Sequence, residues 1–175
     1  MIFRELMVDD EKTVLSAYQE ILMSEHDFGY DKFSGAYYLK KLEDLDYLNF
    51  LSLLNSMNSD KMFRQTVYGL FNDEDKVVGF AIIRWYDTYE TLNYQGHVGA
   101  IIVPSSRGNK YAQIILNEAV KILFSCGKEK IIVSSKINNK SSYKTIESCG
   151  FSFVKYFEDD KKEKYKVYKL EKKYS

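Results

Sequence analysis

Hydrophobic positions divide the chain into short strand-like and helix-like segments, and residues 96–127 form the clearest of these patterns. Residues 96–103 are nearly all small or branched and apolar, as in a strand that is buried on both faces. A polar bend follows at residues 104–110. After the bend, apolar residues recur at helical spacing: Ala112, Ile115, Leu116, Ala119, Val120 and Leu123. This pattern predicts a buried strand, a bend and an amphipathic helix that ends at Gly127.

Elements of both kinds are also predicted on either side of this stretch. Before it we expect a strand at residues 2–6, a helix at residues 11–24 capped by Asp9 or Asp10, and a second helical region at residues 33–57. A hairpin with strands at residues 65–71 and 76–85 follows. Region 33–57 is either one broken helix or two short ones, and Gly79 indicates a bulge or a close backbone contact. After it we expect a strand at residues 130–134, a helix at residues 139–148, and two strands at residues 151–157 and 164–170. Together these elements predict one domain, residues 1–175, with a mixed α/β sheet and helices on its faces.

Composition narrows the classes of function. The 175 residues are 45% hydrophobic and 29% charged, which is ordinary for a globular protein. Because 25 Lys and Arg balance 25 Asp and Glu, the charge gives no reason to expect nucleic acid or a membrane as partner. No apolar run has the length of a membrane span, and residues 1–12 are too polar for a signal peptide. Cys126 and Cys149 have neither disulfide nor zinc spacing, so we expect reduced thiols, a cytoplasmic location and no metal.

The bend at residues 104–110 is the first candidate for binding chemistry. It carries Arg107, Gly108 and Lys110 and leads directly into the predicted helix, whose first N–H groups lack helical partners. Such a helix start is a natural site for an anion, usually a phosphate. A tight connection whose basic side chains are only solvated remains the alternative.

Two motifs around this bend resemble those of the GNAT (Gcn5-related N-acetyltransferase) superfamily. Residues 107–112, Arg-Gly-Asn-Lys-Tyr-Ala, resemble its acyl-CoA motif R/Q-x-x-G-x-G/A. Residues 96–104 look like the preceding strand in a bacterial subgroup of the family. Residues 139–151, with Asn139, Ser142, Ile146, Gly150 and Phe151, are similar to the family's N-x-x-A-x-x-x-Y-x-x-x-G-F helix.

The resemblance implies an α+β fold whose mixed, mostly antiparallel sheet is splayed at the acyl-CoA site, with helices on both faces. It also implies a set of residues that contact acetyl-CoA. The strand backbone at Ile101, Ile102 and Val103 would pair with the pantetheine arm. The bend would hold the pyrophosphate through Arg107, Gly108, Asn109, Lys110, Tyr111 and Ala112. Asn139 would meet the cofactor from the other side of the splay.

The chain departs from the family pattern at three positions. Lys110 replaces a glycine, Ile146 replaces the tyrosine that often protonates the leaving thiolate, and His97 stands where the family often has a glutamate base. Tyr143 is a weak substitute for the tyrosine and otherwise a packing residue. His97 is either a base for the amine or a histidine hydrogen-bonded at the start of a strand.

The resemblance implies an N-acyltransferase that moves an acetyl group from acetyl-CoA to a primary amine by direct attack, with a backbone N–H near Ile101 polarising the carbonyl. The alternatives are a catalytically weak acyl-CoA-binding or regulatory module, and a fold that has lost the cofactor. The acceptor, a small molecule or a peptide, would lie against residues 26–38 and 85–94. Acidic side chains there would suit a cationic amine: Asp27, Asp31, Asp87 and Glu90. His26 has no predicted role, and residues 164–170 could pair within one chain or between the copies of a homodimer.

Overall fold

The computed structural model describes residues 1–24 and 33–173, and the predicted order of strands and helices is confirmed there. The elements are β1 (Ile2–Glu5), α1 (Glu11–Met23), α2 (Tyr47–Ser59), β2 (Gln65–Phe71), β3 (Val77–Arg84), β4 (Val98–Ile102), α3 (Tyr111–Ser125), β5 (Lys130–Lys136), α4 (Lys140–Ser148), β6 (Ser152–Glu158) and β7 (Lys164–Glu171). None of the helices within the described residues is long and apolar enough to cross a membrane.

The region predicted as one broken helix or two short ones is divided in two. A 3-10 helix, Tyr37–Glu43, precedes α2. Asp46 starts α2 because its carboxylate accepts a hydrogen bond from Asn49 N at 2.9 Å. The short 3-10 segment lies against β3, where Tyr38 Oη donates to Ala81 O at 3.4 Å.

The strands form two antiparallel sheets, in the orders β1-β2-β3-β4 and β5-β7-β6. Strand β7 was predicted to pair within one chain or between chains, and it is paired on both sides within this chain. A homodimer through other surfaces stays a prediction. The sheets are joined where β4 meets β5, so the geometry between these two strands decides what the fold can bind.

Helices cover both faces of the first sheet. Helices α1 and α2 pack on the face that carries Phe80 and Ile82, and α3 packs on the other. Gly79 permits the second contact, because a Cβ there would lie 2.8 Å from Ile102 Cδ1 and 2.9 Å from Ile115 Cδ1. Both features predicted at Gly79 are present: the register between β2 and β3 shifts between Leu70 and Phe71, opposite this glycine, and its Cβ would also lie 3.0 Å from Ile101 O. The close contact fixes the first turns of α3 against the end of β4.

Candidate active site

Strands β4 and β5 meet at His97 and then separate. His97 N donates to Ile132 O at 2.7 Å, while His97 O accepts from Arg84 N at 2.8 Å. Gly96, with φ of +71°, permits this contact, because a Cβ there would lie 2.8 Å from Val133 Cα. Beyond this point β4 and β5 form no strand pair in the described part of the chain. We call the space between them the cleft.

The pairing of β4 with β3 decides which backbone groups face the cleft. His97 O and Val103 N both bond to β3, the latter to Val78 O at 3.0 Å. In an antiparallel ladder the bonded residues alternate along the strand. Consequently, the N–H and C=O groups of Gly99 and Ile101 face β3, whereas those of Ala100 and Ile102 face the cleft.

This alternation changes the residues expected to contact a pantetheine arm. Of the three expected residues, only Ile102 turns its backbone groups to the cleft, because Ile101 pairs with β3, Val103 N bonds to Val78 O and Val103 O accepts from Ser106 N. Ala100, which is exposed, has the orientation that was expected of Ile101. The sequence pattern could not show this, because the parity of a strand depends on its partner's register.

The bend before α3 has the backbone of an anion cradle. Gly108 and Lys110 have φ of +84° and +61°, and Lys110 is the left-handed residue that directly precedes α3. Lys110 thus keeps the conformation that glycine favours at this position of the motif. Among the described residues, no side chain caps α3 and no acidic residue lies in its first turn, so its first N–H groups and its dipole face outwards.

Contacts from two sides hold the bend in place. Glu20 on α1 accepts hydrogen bonds from the backbone N–H and the hydroxyl of Ser105, the latter at 3.0 Å. Asn109 Nδ2 donates to Ser106 O at 3.1 Å and to Arg107 O at 3.4 Å. The Asn109 side chain therefore orders the bend, while the exposed backbone from Arg107 to Lys110 faces solvent.

The second motif lies where the resemblance predicts it, but its side chains have structural contacts. Asn139 starts α4, and its Oδ1 accepts from Ser142 N at 3.0 Å. Ile146, in the position of the family's tyrosine, is buried in the core. Tyr143 packs beside that core, with Lys166 Nζ lying 3.8 Å from the centre of its ring. Ile146 has no proton to donate, and the contacts of Tyr143 within the described part of the chain are those of a packing residue.

His97 is completely buried, and both of its ring nitrogens have hydrogen-bond partners. Nδ1 accepts from the backbone N–H of Ile132 at 2.8 Å, so the ring proton lies on Nε2, which is 2.7 Å from Asp87 Oδ1. Burial lowers the pKa of His97, and this outweighs the opposite effect of the hydrogen bond to Asp87. The neutral ring is therefore favoured, and its lone pair is already used by Ile132.

Asp87 and Lys128 extend this contact to the surface. Lys128 Nζ donates to Asp87 Oδ1 at 2.6 Å and to Trp85 O at 3.2 Å. Burial raises the pKa of Asp87, but hydrogen bonds from Lys128 and His97 bring that pKa below its ordinary value. The pair lines an open cavity of 600 Å³ between the end of β3 and the start of β5. Asp87 is thus engaged within the protein and is not a free carboxylate for an amine.

Arg84 is a candidate that the sequence pattern did not single out. It is the last residue of β3, and its Nη1 donates to Gln95 O at 3.3 Å and to Gly96 O at 3.2 Å. The sequence signal that could have identified Arg84 was a single cationic residue directly after the seven apolar residues of a buried strand.

Of the region expected to hold an acceptor, residues 33–38 and 85–94 are described, whereas His26, Asp27 and Asp31 lie outside the described residues.

Comparison with known protein families identifies one family that the chain matches. Residues 26–151 match the sequence model of the Acetyltransferase (GNAT) family. No curated protein matches the chain significantly.

Solved structures of acetyltransferases share the fold. A chimera of spermidine N-acetyltransferase SpeG from Vibrio cholerae and hSSAT is 18% identical, with 98% of this chain and 96% of that chain covered and a TM-score of 0.62. Ribosomal-protein-alanine N-acetyltransferase from Brucella melitensis is 14% identical, with 98% and 99% covered and a TM-score of 0.65. An N-acetyltransferase from Staphylococcus aureus Mu50 is 13% identical, with 97% of each chain covered and a TM-score of 0.64. The expected fold is confirmed, and the chain belongs to the acetyltransferase (GNAT) family.

Proposed function

We propose that the protein transfers an acetyl group from acetyl-CoA to a primary amine by direct attack. The observation that carries this proposal is the cleft itself. Within residues 1–24 and 33–173, two backbone positions of β4, Ala100 and Ile102, face it without a strand partner, and a helix start without a side-chain cap follows the same strand. The first feature suits the amide groups of a pantetheine arm. The second suits its pyrophosphate.

Each remaining predicted contact has a proposed role on this basis. The backbone amides of the exposed residues Gly108, Asn109 and Lys110, together with those of the half-buried Tyr111 and Ala112, would cradle the pyrophosphate, with Arg107 and Lys110 adding positive charge. Asn139 uses Oδ1 to cap α4, and its Nδ2 has no protein acceptor among the described residues, which suits a donor to the cofactor. Cys126 and Cys149 are free thiols, and we place the reaction in the cytoplasm, where they would stay reduced.

Direct attack requires little proton chemistry from the protein. The neutral amine nitrogen bonds to the thioester carbon, the carbon–sulfur bond breaks, and the thiolate leaves as the amine releases its proton to water. Ala100 N–H, which faces the cleft, is the proposed donor to the carbonyl oxygen as negative charge develops there. The remaining rate enhancement would come from holding the amine and the thioester in position for the reaction.

The role of His97 as a base stays a prediction, and its contacts favour a different role. To accept a proton at Nδ1, the ring would have to release Ile132 N–H, which is buried. We therefore propose that His97 is a positioning residue that holds β4 against β5 at the closed end of the cleft. The acceptor would then lose its proton to water, and the rate would follow the pKa of the amine.

A catalytically weak acyl-CoA-binding module is the second candidate. One observation favours it: Ile146 is buried where the family's tyrosine would protonate the thiolate, and Tyr143 packs against Lys166 instead of replacing it. Such a module would bind acetyl-CoA as tightly as an enzyme would but turn it over slowly.

Two measurements on the same preparation test these proposals. Acetyl-CoA at 100 times its Kd should stabilise the fold by about 2.7 kcal/mol, which corresponds to a rise in Tm of about 5–11 °C for a protein of this size. Release of the CoA thiol should then require a primary amine. Stabilisation without amine-dependent release would favour the binding module, and no stabilisation at millimolar acetyl-CoA would reject both candidates.

A further inference from the structure

We infer that Arg84 binds a carboxylate of the amine acceptor, so that the acceptor is a short amino acid. This inference rests on the proposed function and specifies its substrate class. It concerns an acceptor whose amine and carboxylate are separated by only a few bonds.

The guanidinium of Arg84 lies beside the catalytic part of β4. Its Nη1 is held by the carbonyls of Gln95 and Gly96, just before β4 begins. A Cβ added to Gly99 would lie 3.4 Å from the same Nη1 and 2.7 Å from Gly35 O, so Nη1 lies beside Gly99 while the Gly35 carbonyl covers it. Gly99 precedes Ala100, the proposed donor to the thioester carbonyl.

Arg84 has donors to spare and no carboxylate partner in the described residues. Its two hydrogen bonds both use Nη1 and both end on neutral carbonyls, which leaves Nε and Nη2 without acceptors among those residues. Arg4 shows the contrast, because both of its terminal nitrogens bond to Asp10, at 2.7 and 2.8 Å. Removing half of a guanidinium from water without a counterion costs free energy, and a carboxylate that binds it in a bidentate manner offsets this cost.

The remaining charges near this part of the site do not favour a cationic acceptor. Asp87 is bonded to Lys128 and His97. Glu20 is bonded to Ser105. Burial lowers the pKa of Arg84 to about 10, so the group stays charged at neutral pH. Among the described residues, the charged group beside Gly99 is therefore the cationic guanidinium of Arg84.

Spacing along β4 sets the size of the acceptor. Gly99 and Ala100 are consecutive, and neighbouring Cα atoms are about 3.8 Å apart, so a carboxylate bound to the guanidinium beside Gly99 and a thioester carbonyl on Ala100 N–H would be near neighbours. An amine that attacks this carbonyl must then be close to the carboxylate of the same molecule. α- and β-amino acids meet this requirement, whereas a polyamine has no carboxylate to place on Arg84.

Matched acceptors provide the test. Each of a set of α- and β-amino acids is compared with its own primary amide, with spermidine as a polyamine acceptor, and kcat/KM is measured with saturating acetyl-CoA. The wild-type protein should prefer the acid over its amide by about 10²-fold or more, because the amide leaves the guanidinium unpaired. In Arg84→Gln this ratio should fall to about 1. Arg84→Lys should keep part of it, since a point charge remains without bidentate geometry.

Arg64→Gln is the matched control. Arg64 is exposed, lies over the ring of Trp85 at 4.5 Å and bonds to Asn58 at 3.0 Å, so its loss should leave the acid-to-amide ratio unchanged. Melting curves with and without acetyl-CoA show whether each variant is folded and binds the donor.

The outcomes separate this inference from the function on which it rests. If acetyl-CoA stabilises the protein but no short amino acid is acetylated, or spermidine or the amides are better acceptors, the inference is wrong and the proposed donor site stands. An acid-to-amide ratio that survives in Arg84→Gln also overturns it. If acetyl-CoA does not bind to the wild-type protein, the proposed function itself fails.

Discussion

Replacing His97 tests whether this residue joins the two sheets or acts as a base. In His97→Ala both ring hydrogen bonds are lost and the N–H of Ile132 stays buried without an acceptor. An unsatisfied buried group costs about 1–3 kcal/mol, and the lost bond to Asp87 adds about 0.5–1.5 kcal/mol. With the cavity left by a fully buried ring, we expect a loss of about 3–4 kcal/mol in the free energy of unfolding.

His97→Asn separates the two contacts of the ring. The amide oxygen of asparagine lies close to the position of Nδ1 and can accept from Ile132 N–H, while the bond to Asp87 is lost. We therefore expect a smaller loss, about 1–2 kcal/mol. Urea denaturation measures both values, and Tm should fall by about 2–4 °C per kcal/mol for a protein of this size.

The pH dependence of stability should report the same residue. Because burial lowers the pKa of His97 in the folded protein, the unfolded chain binds more protons just below the ordinary histidine pKa of about 6.5. The stabilisation from the neutral ring is therefore complete above pH of about 6.5. It decreases as the pH falls below that value. His97→Asn should remove this part of the dependence.

Two results would refute the reasoning on His97. A His97→Ala protein with unchanged stability would show that the ring does not hold β4 against β5. A His97→Asn protein that keeps its stability and its affinity for acetyl-CoA, but loses turnover and the inflection of the pH–rate profile near neutral pH, would restore the role of base.

Three other substitutions test the cleft and the bend. Lys110→Gly should stabilise the fold by about 1 kcal/mol, because glycine adopts the left-handed conformation of this position without strain. Lys110→Ala should not stabilise it. Equal melting temperatures for the two variants would contradict the strain at Lys110. Ala100→Pro removes an N–H that faces away from β3, so the folded variant should show a kcat lowered by about 10²–10³-fold; an unchanged kcat would exclude this donor. Gly35→Ala should destabilise the fold by about 1–3 kcal/mol in thermal melts, since its Cβ would lie 2.6 Å from Ala100 O at a φ of +88°; wild-type stability would contradict this packing.

Local signals in the sequence predicted the elements well. Asp46 caps α2 where Glu43 and Asp44 had indicated a break, and Gly127, with φ of +89°, follows the end of α3 as predicted. Lys110 adopts a left-handed conformation, which glycine favours, at the position where the motif usually has glycine. Signals of this kind depend on a residue and its near neighbours in the chain, so a single sequence contains them.

Contacts between distant segments could not be predicted in this way. The partners of the His97 ring, Asp87 and Ile132, come from separate segments and have no shared pattern. The choice of Ala100 over Ile101 depends on the register with β3, which periodicity alone leaves open. Arg84 became a candidate only when the position of its guanidinium beside Gly99 was known.

Hydrogen exchange of backbone amides with and without acetyl-CoA tests the proposed site most directly. Acetyl-CoA should slow exchange at Ala100 and Ile102, whose N–H groups face the cleft, and at residues 108–112 of the bend. Ile101, already bonded to β3, should change little. Protection confined to other segments, or none at an acetyl-CoA concentration that saturates the thermal shift, would contradict the assignment of the cleft as the acetyl-CoA site.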